Sequence, residues 1–150
     1  MRKFKKYILP SIGIVLVSVV GSLFTNSGMD WFKMLNKPSE WIPSFVIPVM
    51  WTIIYLLYWI FMISNDYYLY PMITNLLVFN GFLNVVWCFI YFVINSLLGG
   101  VVVIIFNLIA SIFLVIEIKK VYKVWGSILF IYPLWLSIAT ILNVTTFILN

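Results

Sequence analysis

The sequence predicts an all-α protein, an integral membrane bundle of five transmembrane helices. Of its 150 residues 65% are hydrophobic and 9% are charged, and the mean hydropathy is +1.15. Soluble domains carry about 25% charged residues, so this chain has too little polar surface to cover a soluble globule. Five apolar segments approach the ~20 residues that a helix needs to cross a bilayer. Long continuous apolar runs also disfavour a β-barrel, whose strands are short and alternating.

The five predicted spans make up one domain covering residues 1–150. They are Tyr7–Phe24, Ser44–Ile63, Met72–Ile94, Leu98–Ile118 and Val124–Leu149. The short connections after the second, third and fourth spans favour antiparallel neighbours. The first connection, residues 25–43, is long enough to fold over part of the bundle. The first span also resembles a signal peptide, but no clear small-residue cleavage site follows it, and we expect it to be retained.

The distribution of positive charge predicts the orientation. Cytoplasmic segments of membrane proteins are enriched in Lys and Arg. If the N-terminus is cytoplasmic, Lys33 and Lys37 are the basic residues on the outside, and the C-terminus lies outside as well. The basic residues on the inside are then Arg2, Lys3, Lys5, Lys6, Lys119, Lys120 and Lys123. This asymmetry and anionic lipid account for the net charge of +5 without a nucleic-acid partner.

Several classes of chemistry lack their usual residues. The chain has no histidine, the commonest ligand of zinc and haem iron and the usual general base near neutral pH. Cys88 is the single cysteine and has no intrachain disulfide partner, so we interpret it as a small hydrophobic residue. No glycine-rich phosphate loop and no pair of carboxylates within one span is present. We therefore expect neither a metal site nor conventional hydrolytic catalysis.

Polar and aromatic residues recur at helical spacing in three spans. In the third span, Asn80, Asn84, Trp87 and Tyr91 are spaced i, i+4, i+7 and i+11, within a stretch that has no charge from Pro71 to Ile94. The second span repeats this spacing with Trp51, Tyr55, Tyr58 and Met62. The fifth span has Trp135, Ala139, Asn143 and Thr146 on one face. Each set shares one side of its helix.

Two interpretations of these faces remain open from spacing alone. If they converge, they line a cavity that suits a flat, conjugated and largely apolar ligand. Alternatively the amides are interhelical hydrogen-bond partners in a plain packed bundle. Some of the aromatic residues, such as Tyr67 and Trp125, would then be anchors at the membrane interface.

Four further motifs follow one another in order along the chain. The first loop reads Asp30-Trp31-Phe32 and Leu35-Asn36-Lys37-Pro38-Ser39. The second span has Val49-Met50-Trp51-Thr52-Ile53-Ile54-Tyr55. The third has Leu83-Asn84-Val85-Val86-Trp87-Cys88-Phe89-Ile90-Tyr91-Phe92. The fifth runs from Trp135 through Ala139 to Leu142-Asn143 and closes on Leu149-Asn150. Together these motifs resemble the translocator protein/tryptophan-rich sensory protein family, also called the TspO/MBR or peripheral-type benzodiazepine receptor family, whose first loop usually reads W-Y-x-x-L-x-K-P-S.

The sequence departs from the family pattern at three places. The tryptophan and Pro-Pro pair after the loop motif are replaced by Glu40-Trp41-Ile42-Pro43. The fifth-helix motif opens Ile131-Tyr132-Pro133, with the proline displaced by two positions. The last residues, 145–150, contain neither the tyrosine nor the basic residue of the sterol-recognition pattern of animal members, so sterol binding is not carried over.

The resemblance implies a bacterial member of the family in the bacterial cell membrane, commonly a homodimer. Such proteins bind tetrapyrroles and drug-like hydrophobic ligands in a cavity under the first loop. Carried over position by position, the ligand-binding residues are Trp31, Phe32, Trp51, Tyr55, Asn80, Asn84, Trp87, Trp135, Ala139 and Asn143.

We therefore expect a membrane receptor for porphyrins such as protoporphyrin IX, with no obligatory cofactor. Trp51, Trp87 and Trp135 would contact the macrocycle, while Asn84 and Asn143 bind its polar groups. The absence of histidine favours a metal-free porphyrin over haem. A weaker hypothesis is light-dependent porphyrin degradation, with Trp51 and Trp135 as the oxidisable reactants.

Two alternative functions remain, a passive transporter of small hydrophobic molecules and a structural membrane scaffold. Proton-driven carriers hold an ionisable group within the membrane. Here Glu117 lies near a span end, three residues before Lys120, and is expected to form an interfacial ion pair. A proton-driven pump is therefore disfavoured.

Overall fold

The structure, a computed structural model, describes residues 1, 3–38 and 42–150, and these residues form helices without a β-strand. Five helical segments within these ranges are long and apolar enough to cross a membrane. They are Phe4–Ser27, Val46–Ser64, Pro71–Val93, Leu97–Val121 and Lys123–Leu149. The prediction of an all-α membrane bundle is confirmed. Four residues used in the sequence arguments, Arg2, Ser39, Glu40 and Trp41, lie outside the described residues.

The first span consists of a π-helical segment, Phe4–Ile8, and α1, Leu9–Ser27. It is three residues longer at its C-terminal end than predicted, and the following connection contains a short helix, α2, Met29–Met34. Gly28 forms the corner between them. A Cβ atom at Gly28 would collide with the backbone of Phe92, so the corner can approach the end of the third span only because residue 28 has no side chain.

The second span is α3, Val46–Ser64, and a 3₁₀ turn at Tyr67–Leu69 connects it to the third. The third span begins as α4, Pro71–Cys88, with proline in the first turn where it leaves no hydrogen bond unmade. It continues as a π-helical segment, Phe89–Val93. Tyr91 and Phe92 in this segment are both buried.

The fourth span is α5, Leu97–Val121, and the Ser96 hydroxyl caps it by accepting a hydrogen bond from the Gly99 amide at 3.1 Å. The fifth span was predicted as one helix, but it is divided into α6, Lys123–Ile128, and α7, Ile131–Leu149. Pro133 accounts for the break. It has no N–H to donate and its ring clashes with the carbonyl four residues earlier, which is residue 129.

The helices are arranged so that α5 packs between α4 and α7, while α1 lies against α4 and α3. At one end of the bundle Lys6 and Asp66 form an ion pair at 3.2 Å, and the predicted pair of Glu117 and Lys120 is confirmed. At the other end α2 lies beside the end of the third span. We call this second end the cap end and residues 29–38 the cap.

Candidate functional site

The polar face of the third span is directed into the bundle, as its spacing predicts. Asn80 and Tyr91 are 4% and 2% exposed, Asn84 is buried, and Trp87 is half-buried. On the other two spans Tyr58, Met62, Trp135, Asn143 and Thr146 are buried, whereas Trp51, Tyr55 and Ala139 are half-buried. Most of the three faces therefore lies inside the bundle, in agreement with both interpretations of their spacing.

A closed ring of hydrogen bonds lies at the centre of the bundle and joins α4, α5 and α7. The Asn84 side-chain amide donates to the Tyr132 hydroxyl at 2.9 Å, and this hydroxyl donates to Asn107 Oδ1 at 3.2 Å. The Asn107 amide in turn donates to Asn84 Oδ1 at 2.8 Å. Each side chain both donates and accepts, so the ring satisfies buried polar groups that would otherwise destabilise the core.

The ring places Asn84, a predicted ligand-binding residue, in a structural network. Its role towards a ligand stays a prediction. Tyr132 entered the sequence argument only as part of the displaced proline motif, and Asn107 is the one side-chain amide of the largely apolar fourth span. That isolated amide is the sequence signal that marks a buried polar contact, although it does not identify the partner.

A second group of predicted residues meets at the cap end. The Trp87 indole N–H donates to Asn143 Oδ1 at 3.2 Å and its ring stacks on Tyr91, with ring centroids 5.2 Å apart. Trp31 contacts Tyr91 edge-on at 5.6 Å, and Phe32 contacts Phe92 at the same distance. We call the five rings the cap-side cluster. Its members are Trp31, Phe32, Trp87, Tyr91 and Phe92.

A third group connects the second span with α7. Trp51 contacts the rings of Tyr55 at 5.7 Å and Tyr132 at 6.3 Å. Tyr58 also contacts Tyr132, at 5.5 Å and nearly perpendicular to it. We call these rings the Tyr132 cluster. It brings the aromatic face of α3 against the hydrogen-bonded ring of α4, α5 and α7.

Three buried polar atoms have no hydrogen-bond partner among the described residues. They are the indole nitrogen of Trp135, the hydroxyl of Tyr58 and the side-chain oxygen of Asn80. The Asn80 amide nitrogen, by contrast, donates to the Leu76 carbonyl at 2.8 Å. Most buried polar groups in proteins are paired, so these three atoms are exceptions within the described part of the chain.

A groove between α1 and α3 opens to the outside of the bundle, with a cavity volume of about 450 Å³. Tyr55 is the predicted ligand-binding residue that lines it, together with Ser11, Ile14, Val15, Ser18, Thr52, Leu56 and Trp59. The Trp59 indole N–H joins the two walls by donating to the Ser11 hydroxyl at 2.9 Å.

Of the predicted residues, Trp31, Phe32 and Trp87 thus belong to the cap-side cluster, Trp51 and Tyr55 to the Tyr132 cluster, and Asn84 to the ring. Asn143 joins the cap-side cluster through Trp87, and its amide nitrogen donates to the carbonyl of the half-buried Ala139 at 2.8 Å. Asn80 and Trp135 are buried outside these groups.

The end opposite the cap is closed by a separate aromatic group. Phe61 contacts Tyr122 at 5.6 Å and Trp125 at 5.7 Å, and Tyr67 is buried against the same core. Tyr67 and Trp125 thus pack against the core at this end of the bundle, and their role as interfacial anchors stays a prediction. Burial raises the pKa of Tyr67 and of Tyr122 above the ordinary value of a tyrosine.

Comparison with known proteins agrees with this architecture. No curated protein matches the chain. The model of the TspO/MBR family matches residues 11–149, which include most of the first span, the other four spans and every predicted ligand-binding residue. The chain therefore belongs to the TspO/MBR family.

Proposed function

We propose that this integral membrane protein binds flat, largely apolar aromatic molecules, represented by protoporphyrin IX, in the interior of its bundle. The observation that carries the proposal is the indole N–H of Trp135, which is buried and has no partner among the described residues. Trp135 is 4% exposed and belongs to the core in which Trp51, Tyr58 and Tyr132 also lie. A ligand with an accepting atom at this position would complete the hydrogen bond.

The energetic argument rests on the cost of an unpaired donor. A buried N–H without an acceptor costs about 1–3 kcal/mol relative to a paired one. Pyrrole nitrogens, carbonyl groups and carboxylates all accept hydrogen bonds, and the Tyr58 hydroxyl is a second unpaired group in the same core. A conjugated ligand with polar atoms at its edge would pair these donors while its faces contact the aromatic side chains.

The surroundings of Trp135 suit such a molecule. The Tyr132 cluster and the cap-side cluster supply aromatic faces on two sides of the interior, with ring centroids 5.0–6.3 Å apart within each cluster. Family membership supports a membrane ligand-binding or transport role in general. It agrees with the proposal without specifying the ligand.

Titration of the purified protein with protoporphyrin IX tests the proposal. Replacing Trp135 by Phe keeps an aromatic ring but removes the N–H, so the dissociation constant measured from the porphyrin absorbance should rise about three- to tenfold. Trp51→Phe should also weaken binding, because it reduces the aromatic surface of the Tyr132 cluster.

Trp125→Phe is the matched control, because Trp125 packs on Phe61 at the end opposite the cap. Its dissociation constant should stay that of the unchanged protein. Unsaturable absorbance changes, or the same affinity in all four proteins, would contradict an interior site that uses Trp135.

The orientation with a cytoplasmic N-terminus is a second proposal, supported by where the lysines lie. Lys3, Lys5 and Lys6 precede α1, and Lys119, Lys120 and Lys123 surround the end of α5. The α1 start and the α5 end share one end of the bundle, so these lysines form one basic rim. Cysteine labelling of Lys3→Cys and Lys33→Cys in a Cys88→Ser background, in intact cells, should modify the second variant alone. If Lys3→Cys alone is labelled, the N-terminus lies outside and the proposed orientation is wrong.

A further inference from the structure

We propose that Asn150 is a latch that holds the cap closed over Trp87, Tyr91 and Phe92 of the third span and thereby controls ligand exchange. That Asn150 holds the cap closed does not depend on any ligand. That it controls ligand exchange rests on the function proposed above.

The latch consists of hydrogen bonds between residues 114 positions apart in the chain. Asn150 Oδ1 accepts a hydrogen bond from the Asn36 backbone N–H at 3.0 Å, and Asn150 Nδ2 donates to the Asn36 carbonyl at 2.8 Å. The same nitrogen donates to the Thr146 carbonyl at 2.7 Å. Both amide hydrogens and the amide oxygen are therefore used. Such complete pairing is not expected of an exposed side chain unless it recognises a particular segment of backbone.

The cap depends on contacts of this kind for its position. Its helix, α2, has six residues, which is too short to be stable in isolation. Among the described residues, two kinds of contact attach the cap to the bundle. The rings of Trp31 and Phe32 pack against Tyr91 and Phe92, and hydrogen bonds are made at Asn36. The first attachment is apolar and non-directional, whereas the second sets one defined arrangement of the backbone.

The latch is also attached to the helix that carries the proposed ligand contacts. Asn150 follows the last turn of α7, the helix of Trp135 and Asn143. Asn143 accepts the hydrogen bond of Trp87, and Trp87 stacks on Tyr91. With the latch closed, Tyr91 is 2% exposed beneath the cap. Opening the latch would uncover the Trp87 and Tyr91 rings, and with them an edge of the interior.

Asn150→Asp removes the hydrogen bonds that Asn150 donates and almost preserves the shape of the side chain. The carboxylate keeps an acceptor for the Asn36 N–H but has no hydrogen to donate, and it would face the carbonyls of Asn36 and Thr146. Asn26→Asp is the matched control. Asn26 is exposed near the C-terminal end of α1, and its side chain makes no hydrogen bond with the described residues.

Limited proteolysis of the ligand-free protein in detergent measures how readily the cap opens. Trypsin cuts after Lys33 but not at Lys37, which is followed by proline, so Lys33 is its site in the cap. Cleavage within α2 requires local opening of the helix. Asn150→Asp should be cut after Lys33 about tenfold faster than the unchanged protein, and Asn26→Asp at the unchanged rate. Equal rates in all three proteins would overturn the latch.

A reversible cross-link keeps the test valid if Asn150→Asp lowers overall stability. In a Cys88→Ser background, Asn36→Cys combined with Asn150→Cys can form a disulfide where the latch is. The oxidised protein should be cut after Lys33 about tenfold more slowly than its own reduced form. The same rate in both forms would overturn the latch.

The rate of protoporphyrin release tests separately whether the latch controls ligand exchange. Asn150→Asp should release bound porphyrin severalfold faster than Asn26→Asp, and the oxidised cross-linked protein more slowly than its reduced form. Faster cleavage with unchanged release overturns the control of exchange. If the unchanged protein binds no protoporphyrin, the proposed function fails, and the cleavage rates still decide whether the latch exists.

Discussion

The half of the bundle formed by α4, α5 and α7 differs in construction from the side formed by α1 and α3. In the first, polar side chains bind one another in a closed ring, and 39% of the most apolar stretch of the fourth span is buried. In the second, an open groove separates the helices, and only 6% of the corresponding stretch of the first span is buried. The side formed by α4, α5 and α7 is a scaffold held by hydrogen bonds between side chains. The side formed by α1 and α3 is held by few such bonds. We expect conformational adjustment to a ligand on the α1–α3 side.

The largest effect is expected from Gly126→Ala, on the scaffold side. A Cβ atom at Gly126 would collide with the backbone of Lys119, which has no flexible end that can turn away. Overpacking of this kind costs about 1–3 kcal/mol or more, and here we expect the upper end, with α6 displaced from α5. Thermal unfolding in detergent measures this loss of stability. An unchanged midpoint of the unfolding transition would show that the contact between residues 126 and 119 is not close-packed.

Asn107→Ala should follow, with a loss of about 2 kcal/mol in the free energy of unfolding. It removes two of the three bonds of the ring, so that Asn84 Oδ1 loses its donor and the Tyr132 hydroxyl loses its acceptor. The control is Asn75→Ala, because Asn75 is exposed and makes no side-chain hydrogen bond with the described residues. Equal stability of the two variants would mean that the ring contributes nothing to the scaffold.

Gly13→Ala should give the smallest effect and the opposite sign. Nothing lies within 4 Å of a Cβ atom at Gly13, because the face of α1 that carries this residue has no neighbour in the described structure. Alanine is favoured over glycine in a helix by about 0.8–1.0 kcal/mol, so the variant should be slightly more stable. Destabilisation would indicate that α1 packs against a second copy of the chain at this point, which size-exclusion chromatography of the variant would check.

Much of the site was predictable as a set of buried faces but not as a set of contacts. Spacing placed Asn80, Asn84 and Tyr91 on one inward face, and all three are buried. It did not identify the partner of Asn84, because Tyr132 lies 48 positions away on another helix. Helical periodicity defines the direction in which a side chain points, whereas a hydrogen bond also requires the depth and rotation of a second helix.

The break in the fifth span shows the same limit locally. Hydropathy predicts a single span across residues 124–149, and the polypeptide does cross there, but Pro133 divides it into α6 and α7. The displaced proline marks a local departure of the fifth span from the family pattern. The geometry of the break depends on how α6 packs on the end of α5. The cap likewise contains a helix where the sequence indicated only a loop, because α2 is held by tertiary contacts.

The sequence by itself determined the five spans, their inward faces and the family of this protein. It did so because a bilayer requires long apolar helices and penalises unpaired polar groups, and both requirements are visible as composition and period. Only the tertiary structure decided which polar groups are paired. It closed the ring of Asn84, Asn107 and Tyr132, left the Trp135 N–H without a partner, and joined Asn150 to Asn36. Such pairings depend on positions within a few tenths of an ångström, which only the packing of whole helices against one another sets.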